Sequence, residues 1–237
     1  MTAPYRPPAD RPFVQLRHRG VVSAGSDALS EAREHFDREH CIFLPELLAP
    51  ELVSVVLAAF ERTSFKDYEH EGIGSELCAR QGLATGVLEL LSNDPEFHDI
   101  VRALTGCGPI GSFVGRVYRM VPAQGHYDSW HSDVGSERMI AMSINLSTTA
   151  YAGGLLQMRR ADSEEIFCEA ANLGLGDALL FRIDADLRHR VTDVVGSAAK
   201  TAYAGWFRSR PSYRDLVRER DARRLGNHAI DEGIHHA

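Results

Sequence analysis

The second half of the chain is a close succession of short apolar runs separated by glycine-containing turns. Runs of this length predict β-strands, and many strands at such close intervals predict a sandwich or a barrel. The predicted strands cover residues 110–121, 139–147, 154–160, 164–170, 177–182, 187–195 and 200–209. No internal repeat is found in the sequence, so one domain is expected.

The first half of the chain has mainly helical spacing. The predicted elements are a helix from Ser26, a buried strand over Cys41–Leu44, a helix from Pro50, and a helix capped by Asn93 and closed at Gly106. Residues 63–85 contain three glycines and no clear period, which predicts a loop.

These patterns predict a single domain over residues 1–237, with helical support over 1–108 and a strand core over 109–210. Residues 211–237 are predicted to form a closing helix, to about Leu225, and a loose tail. The proline-rich segment 1–12 is expected to be a disordered or clamping arm.

Two histidines and one aspartate have the spacing of a metal site. His131 and Asp133 lie two residues apart, so on an extended segment their side chains point the same way. The third ligand must come from a distant strand, and His189 is the single histidine between Ser132 and Asn227. Two imidazoles and one carboxylate hold ferrous iron on one face and leave coordination positions open. The short H-x-D pattern also occurs by chance in surface turns.

The segment that follows His189, HRVTDVVGSAAKTAYAGWF, resembles the iron(II)- and 2-oxoglutarate-dependent oxygenases near the prolyl-hydroxylase-like branch. Lys200 lies eleven residues after His189 and six before Trp206, with the strand parity of the family's basic residue and tryptophan. The resemblance implies that Lys200 binds the distal carboxylate of 2-oxoglutarate, although the family usually has arginine there. A solvated lysine at a strand edge is the alternative.

Two further segments extend the likeness to about residues 113–209. Met142–Ser147 followed by Tyr151–Leu156 is similar to the family's strand, loop and Gly-Gly turn, and Gly174–Phe181 is similar to the strand before the distal histidine. The implied fold is mainly β with α: a double-stranded β-helix, or jelly-roll, braced by the N-terminal helices.

The resemblance implies iron(II) bound by His131, Asp133 and His189, with 2-oxoglutarate and dioxygen as co-substrates and ascorbate as a reductant for reactivation. It also implies a hydroxylase that releases succinate and CO2, because the family's halogenases replace the aspartate. Many relatives carry a tyrosine that contacts 2-oxoglutarate where this chain has Met120. Tyr118 and Tyr127 are the candidates to replace it, and strand packing is the alternative for each.

Four residues near these motifs are candidates for substrate contact, each with a structural alternative such as packing, an ion pair or plain surface exposure. They are Trp130, Arg138, Asn145 and Arg208. Specificity in this fold resides in loops over the barrel mouth, so the sequence favours a small-molecule or amino-acid-derived substrate only weakly and leaves the oligomeric state open.

Composition narrows the functional class. A net charge of −7 and a pI of about 5.9 argue against a general nucleic-acid binder. The four cysteines are widely spaced, which predicts reduced thiols rather than a zinc site. The sequence has no signal-like segment and no apolar run long enough to span a membrane, so a cytoplasmic location without membrane partners is expected.

Three alternatives remain at this stage. A cupin-like isomerase or metal-binding protein would use the same jelly-roll without 2-oxoglutarate, but such sites usually contain more histidines and a glutamate. A peptidyl hydroxylase of the same superfamily is the second alternative. A non-catalytic scaffold with a decayed site is the third, and the presence of both histidines and the aspartate argues against it.

Overall fold

A computed structural model describes residues 6–7, 12–171 and 174–234, with side chains to residue 223. The predicted arm over residues 1–12 therefore lies largely outside the described residues, as do the last three residues of the predicted tail. The closing helix is longer than predicted, because it continues to Ile234.

The N-terminal half combines helices with short strands. Its elements are β1 (Val14–Arg17), β2 (Gly20–Ser23), α1 (Ser26–Glu39), β3 (Cys41–Leu44), α2 (Pro50–Phe60), β4 (Phe65–His70), β5 (Gly74–Ala79), α3 (Leu83–Ser92) and α4 (Pro95–Thr105). The predicted helices from Ser26 and Pro50 and the strand at Cys41 are confirmed.

The C-terminal half is nearly all strand. Its elements are β6 (Ser112–Met120), β7 (Tyr127–Asp128), β8 (Arg138–Asn145), β9 (Ala152–Gly153), β10 (Leu156–Arg160), β11 (Ile166–Ala170), β12 (Ala178–Arg182), β13 (Leu187–Val191), β14 (Val194–Val195), β15 (Lys200–Arg208) and α5 (Tyr213–Ile234). Each predicted strand is present, and the run over 187–195 divides into β13 and β14.

The prediction of a loop over residues 63–85 was wrong. Strands β4 and β5 form an antiparallel hairpin there, and α3 begins at Leu83. Gly74, Glu76 and Cys78 are the buried positions of β5. A buried glutamate breaks the apolar alternation by which such a strand is recognised.

The cap of the following helix was also assigned one residue early. Asp94, not Asn93, caps α4, because its carboxylate accepts hydrogen bonds from the backbone of Glu96 and Phe97. Asn93 instead ends α3. Its side-chain amide donates a hydrogen bond to the carbonyl oxygen of Phe113 and accepts one from the backbone N–H of the same residue. Both residues are good helix caps, so local preference alone did not distinguish them.

A large curled antiparallel sheet forms the main wall of the fold, in the order β3-β12-β8-β15-β6-β5-β4. A smaller sheet, in the order β11-β10-β13, completes a half-barrel that agrees with the predicted jelly-roll core. No helix in the described part of the chain is long and apolar enough to cross a membrane.

The alternation of β15 separates the core from the barrel interior. Tyr203 and Phe207 are buried among the side chains of the N-terminal helices. Because successive strand side chains point to opposite faces, Lys200, Ala204 and Trp206 face the interior instead. One strand therefore serves both the apolar core and the cavity. All four cysteines are free, as predicted, and three of them are buried.

Candidate metal centre and cavity

The three predicted metal ligands converge in the barrel interior. His131 and His189 exchange backbone hydrogen bonds of 3.1 and 3.0 Å, which aligns the segment after β7 with the middle of β13. One ligand atom from each of His131, Asp133 and His189 lies within 4.8 Å of the other two. Residues far apart in sequence thus form a compact set of two imidazoles and one carboxylate.

Both carboxylate oxygens of Asp133 are held by neighbouring side chains. Oδ2 accepts a 2.6 Å hydrogen bond from the indole nitrogen of Trp206, and Oδ1 accepts one of 3.1 Å from Arg138. Burial alone would raise the pKa of Asp133, but its contacts with His189, Trp206 and His131 lower it to about 2. The carboxylate is therefore ionised at neutral pH, as a metal ligand must be.

The imidazole of His131 is oriented by its second nitrogen. Nδ1 lies 2.7 Å from the carbonyl oxygen of Ser129 and 3.4 Å from Oδ1 of Asp128. A proton on Nδ1 would satisfy this carbonyl and leave the lone pair of Nε2 directed toward Asp133. The ring of Phe181 packs edge-on against His189, with centroids 4.9 Å apart. These contacts fix the orientation of both imidazole rings.

Lys200 is the buried cation of the cavity. It is 5% exposed, and its ammonium donates a 2.8 Å hydrogen bond to the carbonyl oxygen of Gly154. Burial lowers its pKa to about 8, partly offset by the charges of Asp128 and Glu76. In the described part of the chain no carboxylate lies within ion-pair distance of this ammonium. It is therefore available to an anion that enters the cavity.

The two candidate tyrosines occupy different depths. Tyr118 is buried in the cavity wall, 6.0 Å from the ammonium of Lys200 to the ring centroid, and burial raises the pKa of its hydroxyl. Tyr127 is 41% exposed and lies at the rim. Met120 is the cross-strand partner of Lys200 and also lines the cavity.

Of the four candidate substrate contacts, Arg138 alone lines the cavity. Trp130 is held between the guanidinium groups of Arg159 and Arg190, at 4.5 and 4.8 Å. Asn145 has the expected inward parity, but its amide bonds the carbonyl of Gly174 and the backbone of Ser147. Arg208 donates to the carbonyl of Ser136 on the surface. Trp130, Asn145 and Arg208 therefore lie outside the cavity wall.

A charged cluster that the sequence did not indicate lines the same cavity. Glu76 accepts a 2.7 Å hydrogen bond from Nε of Arg116, and Nε2 of His70 lies 3.0 Å from the same carboxylate oxygen. Burial alone would lower the pKa of Arg116, but the charge of Glu76 raises it. The cluster comes from the β4–β5 hairpin and β6. In the sequence, the one indication of this cluster was the isolated Glu76 of β5.

The cavity has a volume of about 230 Å³. It joins the three candidate ligands, Lys200 and the charged cluster in one space. Apolar side chains complete the wall, among them Ile73, Leu156, Leu179, Phe181 and Val191. A largely apolar cavity with a few convergent polar groups is typical of a small-molecule binding site.

Residues 115–208 match the family model of the 2OG-Fe(II) oxygenase superfamily. His131, Asp133, His189 and Lys200 all lie within the matched segment. No curated protein sequence matches the chain.

Solved structures of this superfamily share the fold. An oxidoreductase of the 2OG-Fe(II) oxygenase family from Burkholderia pseudomallei aligns with a TM-score of 0.60 and 15% identity, over 81% of this chain and 94% of that one. A prolyl-4-hydroxylase from Pseudomonas putida aligns with a TM-score of 0.57 and 18% identity, over 77% of this chain and 100% of that one.

A third similar structure is the non-heme alpha ketoglutarate dependent epimerase of nogalamycin biosynthesis. Its TM-score is 0.58 at 12% identity, over 78% of this chain and 84% of that one. At such identities the structural likeness establishes the fold alone. Together with the family match, it confirms the resemblance to 2OG-Fe(II) oxygenases, including prolyl hydroxylases, that the sequence predicted.

Proposed function

We propose that the protein is an iron(II)- and 2-oxoglutarate-dependent dioxygenase that hydroxylates a C–H bond of a small molecule and releases succinate and CO2. One observation carries this proposal. The convergent set His131, Asp133 and His189 shares one cavity with the buried ammonium of Lys200. A metal site and an isolated cation in one cavity suit a co-substrate that chelates at one end and is anionic at the other.

The roles of the side chains follow from their positions. His131, Asp133 and His189 would hold iron(II), which together with 2-oxoglutarate supplies the activation of dioxygen. Lys200 would pair with the distal carboxylate of 2-oxoglutarate, and the hydroxyl of Tyr118 would donate a hydrogen bond to it. The carbonyl of Gly154 already holds the ammonium of Lys200 in place.

The cupin-like alternative receives less support from the site. Within the described residues the ligand set contains two histidines and one carboxylate, rather than the larger histidine and glutamate set usual in cupin-like sites. That alternative also provides no anion to bind the buried ammonium of Lys200. Since an unpaired buried ammonium is costly, a chain that retains one in a cavity gains most when an anion binds there.

The small cavity favours a small molecule over a peptide, which would need an open groove. A peptidyl hydroxylase remains the second candidate, because a prolyl-4-hydroxylase is among the structures of similar fold. Epimerisation is a further possible outcome on this fold. Product analysis distinguishes the three, because hydroxylation adds one oxygen atom and epimerisation adds none, and the oxygen is found either in a peptide or in a small molecule.

The proposal is tested by turnover of 2-oxoglutarate in air. The protein is supplied with iron(II), 2-oxoglutarate and ascorbate, and succinate is measured by mass spectrometry. We expect succinate formation that requires both iron(II) and 2-oxoglutarate and is lost in His189→Ala and Asp133→Ala. Trp130→Phe serves as the control, because it changes an aromatic residue next to His131 but outside the cavity wall. Metal binding by the wild-type protein without formation of succinate would contradict the proposal.

A further inference from the structure

The cavity wall contains an ion pair that the proposed reaction does not use. Glu76 lies on β5 and Arg116 on β6, and the bond from Nε of Arg116 to Oε1 of Glu76 is 2.7 Å long. Their side chains are 10% and 32% exposed, respectively, and both line the cavity. Glu76 is therefore largely buried and Arg116 partly exposed, and a ligand in the cavity can reach both charges.

The contacts within the cluster leave one polar atom of each charged group free. Nη2 of Arg116 lies 3.0 Å from Nε2 of His70. Arg116, His70 and Cys78 all bond Oε1 of Glu76. Among the described residues, Oε2 of Glu76 accepts no hydrogen bond and Nη1 of Arg116 donates none. The pair thus offers one anionic acceptor and one cationic donor side by side.

Stability does not explain the pair. Burying two charges costs desolvation energy, and apolar side chains of similar size usually stabilise a protein as well or better. Apolar side chains line the same cavity, among them Ile73 in the turn of the β4–β5 hairpin and Leu156, Leu179 and Phe181. A charged pair in such a wall is best explained by recognition of a ligand that carries both charges.

The pair lies close to the candidate metal centre. The guanidinium of Arg116 is 5.8 Å from the ring centroid of Trp206, and the nitrogen of that ring bonds Asp133. One indole ring therefore separates the pair from the metal-binding carboxylate. A molecule held by Glu76 and Arg116 would extend past this ring toward the three candidate ligands.

We propose that the substrate is a free α-amino acid with an apolar side chain, its ammonium bound by Oε2 of Glu76 and its carboxylate by Nη1 of Arg116. This inference rests on the proposed function and specifies its substrate class. The apolar wall would contact the side chain of the amino acid, which is the part that reaches the metal centre. Neutral small molecules and peptides lack the pair of adjacent opposite charges that the wall complements.

The first test uses ligands and the unaltered protein. The chain is loaded anaerobically with iron(II) and 2-oxoglutarate, and formation of the coloured chelate is recorded. Air is then admitted with L-leucine, L-isoleucine, L-valine, L-methionine, L-proline or L-phenylalanine. We expect at least one of them to raise succinate formation tenfold or more over the rate without amino acid. The N-acetyl and primary-amide derivatives of that amino acid should each stimulate succinate formation at least tenfold less than the free amino acid does.

These outcomes separate the two proposals. A coloured chelate without stimulation by any of the six amino acids would overturn the substrate class and leave the dioxygenase standing. Equal stimulation by the blocked derivatives would also overturn it, because neither charge would then be recognised. Absence of the chelate would reject the dioxygenase, and with it the inference.

The second test changes the pair conservatively. Glu76→Gln and Arg116→Lys should each raise the KM for the stimulating amino acid at least tenfold and leave the affinity for 2-oxoglutarate within twofold. Glu89→Gln is the matched control, since Glu89 forms an ion pair with Arg220 outside the cavity. Thermal unfolding of all three variants reports whether they fold.

If Glu76→Gln and Arg116→Lys both fold and have the same KM for the amino acid as Glu89→Gln, the inference is overturned. Loss of 2-oxoglutarate affinity with an unchanged KM for the amino acid would also overturn it, because the pair would then belong to the co-substrate site.

Discussion

The indole nitrogen of Trp206 lies 2.6 Å from Oδ2 of Asp133, so β15 supports the candidate metal ligand that follows β7. The same strand carries Lys200 on the same face, six residues earlier. A single strand therefore positions both the carboxylate proposed to bind the metal and the cation proposed to bind the co-substrate. The geometry of the strand fixes the separation between Lys200 and Trp206, the residue that bonds Asp133.

Removal of this indole N–H should weaken metal binding without unfolding the protein. Trp206→Phe keeps an aromatic ring beneath the guanidinium of Arg138, which lies 3.8 Å from the ring centroid, but removes the indole N–H that donates to Oδ2 of Asp133. We expect the Kd for iron(II) to rise about 10- to 100-fold. Anaerobic metal titration measures this change. Trp130→Phe is the control, and an equal effect in both variants would show that the hydrogen bond is unimportant.

The backbone of Gly154 should be critical for the position of Lys200. Its φ is +61°, and an added Cβ would lie 3.0 Å from Cδ of Lys200 and 3.0 Å from the ring of Tyr151. Gly154→Ala should cost about 1–2 kcal/mol for the left-handed backbone and should also weaken 2-oxoglutarate binding by displacing Lys200.

Gly125→Ala provides a matched control for this effect. Gly125 has a φ of +74° and no atom within 4 Å of an added Cβ, so its substitution brings similar backbone strain without a clash. Both variants should lose stability in thermal unfolding, with the larger loss in Gly154→Ala because of its close contacts, and Gly154→Ala alone should lose co-substrate affinity. Equal co-substrate binding by the two variants would contradict the proposed role of Lys200.

The affinity for 2-oxoglutarate should fall at alkaline pH. Burial lowers the pKa of Lys200 to about 8, so its ammonium is charged below that pH and becomes neutral above it. Because the co-substrate's carboxylate binds the charged form, the apparent Kd should rise above pH 8, by up to about tenfold per pH unit. In Lys200→Arg the guanidinium keeps its charge throughout this range. The same alkaline loss in that variant would assign the effect to another group.

The two candidate tyrosines should respond differently to removal of the hydroxyl. Tyr118 is buried near Lys200, and Tyr127 lies at the rim. A hydrogen bond to a charged group contributes about 1.5–3 kcal/mol, so Tyr118→Phe should raise the Kd for 2-oxoglutarate about tenfold or more. Tyr127→Phe should change it less than twofold. Anaerobic titration of both variants decides between them, and the reverse ranking would place the co-substrate at the rim.

Sequence periodicity predicted most of the strand core and the convergence of the three candidate ligands. Strand alternation has a period of two, so it gave the shared face of Lys200 and Trp206 directly. The same alternation predicted that the side chain of Asn145 lies on the inward face of its strand, but alternation does not predict the hydrogen bonds of that side chain. The amide of Asn145 is occupied by Gly174 and Ser147, and its contact with Gly174 joins residues that three intervening strands separate in the sequence.

The charged cluster could not be predicted in the same way. Glu76 is buried because β5 pairs with β6, and its partner Arg116 lies forty residues further along the chain. A buried charge removes the apolar pattern that would have identified β5 as a strand. Glu76, the residue that prevented recognition of the hairpin from the sequence, is also one of the two residues that we propose bind the substrate.

The central claim is that iron(II) and 2-oxoglutarate bind together at His131, Asp133 and His189. Anaerobic titration of the protein with both, followed by the weak visible charge-transfer band of the chelate, tests it most directly. We predict a band in the wild-type protein that is absent in His189→Ala. Tight metal binding by the wild-type protein without this band would contradict the account and favour a metal site of the cupin-like kind.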